Sequence, residues 1–193
     1  NGSDCNDPQL TSLEPLATND CCILDFDVVP SCNTLRIRFV FGSEEYPEYV
    51  CSGFNDVFGF FLTGNNPSGG TYNSQNIALI PDPLVPGTYT NTAVAINTVN
   101  PGVPGSNGSA ATCSALDPSW STYSVFYQAN TTNTYEYDGR TTTLPVAVLV
   151  NCGETYHIKI AISDVGDGLY DSGVFLEAGS FSANGVSAAT ATA

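Results

Sequence analysis

Three aspartates stand within eight residues in the run Ser163-Asp164-Val165-Gly166-Asp167-Gly168-Leu169-Tyr170-Asp171-Ser172-Gly173, interleaved with glycines. Glycine lets the backbone turn tightly, so carboxylates and free carbonyls can converge on one point. Converging carboxylates repel each other, and a hard divalent cation relieves that repulsion. Calcium, which takes six to eight oxygens in flexible geometry, suits such a loop. The spacing is not that of an EF-hand, because position 12 counted from Asp164 is Phe175 rather than Glu. Two other acidic groups flank strand-like runs and could reach the same ion: Glu44-Glu45 and Asp56. The expected metal set is therefore Asp164, Asp167, Asp171, Asp56, Glu45 and Glu44, with calcium as the cofactor. The competing arrangement is an Asx-turn hairpin in which the aspartates cap backbone amides.

Other chemistry is thinly supported. Glu44 with Asp56 or Asp164 could form the carboxylate pair of a glycoside hydrolase, but any acidic chain offers such pairs. No G-x-S-x-G, H-E-x-x-H, P-loop or G-x-G-x-x-G motif is present. The single histidine, His157, falls in an alternating strand opposite its tyrosine and isoleucines, as a surface or hydrogen-bonded residue would. Asp25 and Asp27 share one face of another strand, which means little if that face meets solvent. The expectation is a chain with no catalytic residues. With four Lys+Arg against 19 Asp+Glu, the net charge is -15. Such a chain repels nucleic-acid backbones and anionic membrane surfaces, and no apolar run spans a bilayer.

Seven cysteines, at 5, 21, 22, 32, 51, 113 and 152, occur without a C-x-x-C pair. That pattern favours structural disulfides and an oxidising, extracellular setting over zinc. At least two intrachain bridges are expected. The adjacent Cys21 and Cys22 should bond to different partners, and the odd cysteine is free or links chains. The chain begins Asn1-Gly2-Ser3, without Met or a signal peptide, as a processed or excised segment would.

The elements that must position these groups read as strands. Leu35 to Phe41 alternates strictly, with Leu35, Ile37, Phe39 and Phe41 on one face. Ile23 to Val29 ends at Pro30, and Val57 to Leu62 is continuous, as a buried central strand would be. Ile77 to Ile80, Val94 to Val99, Val146 to Val150, Tyr156 to Ile162 and Val174 to Ala178 complete the set. Short strands, Gly/Pro/Asn turns and no useful helical periodicity predict an all-β, two-sheet antiparallel sandwich, jelly-roll-like. One domain over 1–185 is expected, with a long inserted loop over 100–134 that Cys113 could pin, and a low-complexity tail over 186–193. A tail of this kind, if ordered, needs something to dock on.

The runs Phe41-Gly42-Ser43-Glu44-Glu45-Tyr46-Pro47-Glu48-Tyr49-Val50 and Phe54-Asn55-Asp56-Val57-Phe58-Gly59-Phe60-Phe61-Leu62 resemble the choice-of-anchor L domain. So do Ala95 to Asn100, Tyr137-Asp138-Gly139, and Tyr156 to Lys159 through Asp171 to Ala178, in the family's order from about Asp20 to Phe181. The resemblance implies a secreted or surface protein of bacteria, especially Bacteroidetes. It gives a location and broad class rather than a reaction. The family's stretch upstream of Asn19 is expected to be missing or replaced, and no anchor follows Phe181. The sequence thus predicts a non-enzymatic extracellular module for adhesion or surface structure, stabilised by calcium, with self-association or a cell-surface or glycan partner. The alternative is a self-assembling filament subunit joined by strand addition; a lectin or glycan-active enzyme ranks below both.

Overall fold

Alternation in Leu35–Phe41 becomes the inner face of β2 (Thr34–Ser43), where all four apolar residues are buried while Arg36 and Arg38 point outward. The computed structural model describes residues 6–183. Across the sandwich lie β3 (Val57–Asn65) and β10 (Tyr156–Val165), antiparallel neighbours with Ile160 opposite Phe60. The two inner faces interlock, with the Phe39 and Phe58 rings 4.9 Å apart. The first sheet runs β1 (Ala17–Val28), β10, β3 and β4 (Thr71–Asn76). In the second, β2 is central. On one side it pairs with β11 (Ser172–Leu176) and then β12 (Ser182–Ala183). On its other side lie β8 (Gly139–Thr141), which pairs onward with β7 (Tyr127–Ala129), and β9 (Leu144–Leu149). A separate hairpin joins β5 (Leu79–Pro81) to β6 (Tyr89–Ala93). The antiparallel sheets do not close into a barrel, and the fold is an all-β sandwich.

A short helix, α1 (Pro8–Leu13), covers the outer face of the first sheet. Asp7 caps it, accepting the amides of Gln9 and Leu10 at 3.0 Å, and Pro8 sits where no amide partner is required. Leu10 packs with Phe61, Val57 and Val165 in a second apolar cluster. Lys159 reaches from β10 to pair with Asp7 in a largely buried ion pair.

Several expectations need correction. Val94–Val99 is buried but is a turn, not a strand, touching β3 through a single bridge from Ala95 to Val57. The side chains of Asn97 and Thr98 take the place of a ladder. Asn97 accepts from the Cys51 amide at 2.6 Å and donates to the Ser52 carbonyl at 2.9 Å, and the Thr98 hydroxyl accepts from the Ala95 amide at 2.9 Å. Of Ile77–Ile80 only the end is strand, in β5. The segment 100–134 carries helix α2 (Ala110–Leu116), a 3-10 helix (Trp120–Phe126) and β7.

Cys113 does pin that segment, through a disulfide to Cys51. The amides of Gly105, Asn107 and Ser109 also donate to the carbonyls of Val50, Glu48 and Cys51. Cys21 is disulfide-bonded as well. Cys22, expected to pair separately, is free and exposed, because β1 is an edge strand and its cross-strand neighbour there is Ile162. The expected tail over 186–193 lies outside the described residues.

Candidate metal centre

The β10 strand ends in Asp164-Val165, and the chain returns through Gly166–Asp171 to β11, so Asp164 and Asp171 flank one loop. Asp20 comes from β1, whose register slips between Ala17 and Asn19 and again between Asn19 and Cys22. That irregularity gives Asp20 a φ of 39°, a left-handed conformation that aspartate tolerates better than most residues. The Ser163 hydroxyl holds the bulge by donating to the Asn19 carbonyl at 2.7 Å. One carboxylate oxygen from each of Asp20, Asp164 and Asp171 then lies within 4.8 Å of the other two. They line an open cleft of about 300 Å³ together with Tyr137 and Ser172.

Tyr137 is set there by a pair of glycines. Gly42 of β2 and Gly173 of β11 face each other across the ladder; a Cβ on Gly173 would collide with the Tyr137 ring and hydroxyl, and one on Gly42 would press tightly against the ring. The ring also meets Phe175 edge-on, with centroids 5.8 Å apart.

Asp164 in the cleft, and the nearby carboxylates of Glu45 and Asp56 that repel it, are buried. Asp164 is 4% exposed, Glu45 2% and Asp56 1%. Asp56 is fully engaged, accepting the Val165 amide at 2.9 Å and the Ser172 hydroxyl at 2.7 Å. By contrast, Asp164 Oδ2 and Glu45 Oε2 have no hydrogen-bond partner. Buried polar atoms are nearly always satisfied, so these two orphaned carboxylate oxygens are exceptions to the rule. Burial pushes Asp164 up to about 8, with Asp56, Asp171 and Asp20 adding repulsion. Glu45 also rises to about 8, through burial and then Asp56, Asp167 and Asp164. Asp56 rises to about 7 through burial, despite its two donors.

The chain's cations are committed elsewhere. Lys159 pairs with Asp7, Arg38 with Glu177 at 2.8 Å, and Arg140 Nε donates to the Tyr135 hydroxyl at 3.2 Å. Arg36 lies toward the far end of β2 from Ser43.

Of the residues expected at the site, Asp164 and Asp171 belong to the converging trio. Asp56 and Glu45 stand outside it, close enough to Asp164 for mutual repulsion. Asp167 accepts the Leu169 amide at 3.0 Å in an Asx-turn, so that local geometry coexists with the acidic cluster. Glu44 is linked reciprocally to Asp171: the Asp171 amide donates to Glu44 Oε2 and the Glu44 amide to the Asp171 carbonyl, each at 3.1 Å. Asp20 is the member that sequence reasoning missed. Its strand reads Asn19-Asp20-Cys21-Cys22 and contains no glycine to mark the bulge that turns it inward. His157 is an exposed bridge, with Nε2 2.8 Å from Asp25 and Nδ1 2.9 Å from Asp27.

A family model described as the choice-of-anchor L domain matches residues 1–182. The chain belongs to the choice-of-anchor L family. The match takes in residues 1–18 as well as the segment from Asn19 onward. No curated protein and no solved structure matches the chain significantly. Choice-of-anchor L domains are surface-associated or secreted bacterial modules and do not form an enzyme family. Among the described residues of this choice-of-anchor L domain, no helix is long and apolar enough to cross a membrane.

Proposed function

We propose that this choice-of-anchor L domain is a calcium-stabilised, non-enzymatic extracellular module serving adhesion or surface structure. One observation carries the reading: Asp164, 4% exposed and with an orphaned oxygen, sits within 4.8 Å of the carboxylates of Asp20 and Asp171. A cation there would tie β1, the edge of one sheet, to the loop that leads into β11, an edge of the other. The same loop turns Leu169 and Tyr170 outward, 64% and 50% exposed, and Tyr170 stacks near Tyr49 with centroids 5.6 Å apart. Fixing the loop would fix that aromatic surface, which suits contact with a glycan or a protein partner.

Calorimetry tests the reading. Adding about 10 mM calcium to chelator-treated protein should raise Tm, since a ligand at a tenfold to hundredfold excess over a Kd of about 10⁻⁴–10⁻³ M adds about 1.4–2.7 kcal/mol. Asp164→Asn should abolish the rise. Equal Tm values with calcium and chelator, in protein shown to be metal-free, would overturn it.

A second reading, a filament subunit joined by strand addition, is favoured by the edge that β1 and β11 share. Ile23, Leu24, Phe175 and Leu176 are all more than 40% exposed on those strands, and an apolar cleft of about 350 Å³ opens between them. A strand from a second copy would cover both edges. Sedimentation should then show concentration-dependent assembly that Leu24→Lys abolishes; a monomer at all concentrations would remove this reading.

A further inference from the structure

At the end of the sandwich away from the acidic centre, two crossovers carry the chain between the sheets. Residues 29–33 lead from β1 to β2, and residues 150–155 lead from β9 to β10. They run antiparallel and are hydrogen-bonded at two points. The Val150 amide donates to the Asn33 carbonyl at 3.0 Å, and the Gly153 amide donates to the Pro30 carbonyl at 2.8 Å. Between those two bonds fall Cys32 on one crossover and Cys152 on the other, both with free thiols. We propose that Cys32 and Cys152 are a disulfide pair that closes when the protein meets a disulfide oxidant.

The spacing supports this. Paired antiparallel backbones hold opposite Cα atoms about 4.5–5.5 Å apart, and a one-residue offset stretches that to about 6 Å. Disulfides span Cα separations of roughly 4.4–6.8 Å. In a regular ladder a one-residue offset would send the two side chains to opposite faces. These crossovers are bends and turns rather than strand, and Gly153 takes a φ of 78°, so that alternation does not apply. Cys152 is exposed and Cys32 partly so, which admits an oxidant.

The reaction is thiol–disulfide exchange with a small-molecule disulfide or a disulfide oxidoreductase, RSSR. The Cys152 thiolate attacks one sulfur of RSSR, forming a mixed disulfide and releasing RS⁻. The Cys32 thiolate then attacks the Cys152 sulfur and expels the second RS⁻. Two thiols are oxidised by two electrons in all, RSSR is reduced to two thiols, and the cysteines' protons pass through solvent to the leaving thiolates. The product would clip together the two crossovers at one end, complementing Cys51–Cys113, which ties the 100–134 segment to the chain between β2 and β3. Cys22, whose cross-strand neighbour is Ile162, serves as an internal control.

Peptide mapping tests the proposal on the full chain, purified reduced and then equilibrated with oxidised and reduced glutathione. Alkylation followed by non-reducing digestion should yield a linked Cys32–Cys152 peptide, with Cys22 alkylated. Oxidation should also raise Tm by about 5–15 °C, and Cys32→Ser and Cys152→Ser should lose that gain equally. Recovery of both cysteines as alkylated thiols after oxidation, or linkage of either one to a different cysteine, would overturn the proposal. The mapping needs no metal, so its outcome is independent of the calcium reading.

Discussion

In chelator-treated protein, stability should fall as pH rises from 5 to 7. Folding lifts Asp164 to about 8 from an ordinary 3.8, Glu45 to about 8 from 4.5, and Asp56 to about 7 from 3.8. A group raised in this way contributes stability that is complete below its unfolded value and is lost as pH climbs to its folded value. Each proton kept by the folded chain but not by the unfolded one therefore removes about 1.4 kcal/mol per pH unit. One proton shared by the three groups gives a loss of about 3 kcal/mol between pH 5 and 7, and further retained protons steepen it. Domains commonly have only 5–15 kcal/mol in total. Asp7 is depressed: burial would raise it, but Lys159 and the Leu10 and Gln9 amides outweigh that. Asp117 is also depressed, burial being outweighed by the Thr92 and Tyr123 hydroxyls and the Ser119 amide. Their contributions vanish only in acid, below this window. Calcium needs the carboxylates ionised, so its presence should flatten or reverse the slope. Urea unfolding at pH 5, 6 and 7, with chelator and with calcium, measures this directly. Asp164→Asn should then stabilise the chelated protein at pH 7 and destabilise it relative to wild type in calcium. A metal-free stability that is flat or rising from pH 5 to 7, or an Asn variant that loses stability in both buffers, would refute the reasoning.

Three further outcomes follow from the packing. Lys159→Met should cost about 3–5 kcal/mol in urea unfolding, because it strands the buried Asp7 carboxylate. Replacing Cys51 and Cys113 together by Ala, which opens a bridge of sequence separation 62, should cost about 4 kcal/mol on the chain-entropy model and expose the 100–126 segment to limited proteolysis. Gly108→Ala should cost about 1–3 kcal/mol by overpacking, because its Cβ would collide with the Val50 carbonyl oxygen and the Cys51 backbone; an unchanged urea midpoint would show that this segment shifts freely.

The core strands were legible because their burial and their sequence period coincide. In β2 each apolar residue of an alternating run is buried, and β3, continuous and apolar, lies between two neighbours as expected. Where burial and hydrogen bonding part company, periodicity misleads. Val94–Val99 looks like a strand because it is buried, yet Asn97 and Thr98 satisfy its backbone surroundings with side chains. The acidic loop was visible as a composition signal, and two of its members, Asp164 and Asp171, do converge. Asp20 was not visible, since a bulge in a neighbouring strand is a property of pairing rather than of local sequence. Tyr137 was invisible in the same way: its place depends on two glycines that meet only when β2 and β11 pair.

Equilibrium dialysis of metal-free protein against calcium tests the central claim most directly. The account predicts that wild-type protein retains at least one calcium per chain in the range of about 10⁻⁴–10⁻³ M free ion usual for extracellular modules. It also predicts that Asp164→Asn, with an unchanged fold by circular dichroism, retains none. Wild-type protein that retains no calcium across that range, or an Asn variant that binds as wild type does, would contradict it.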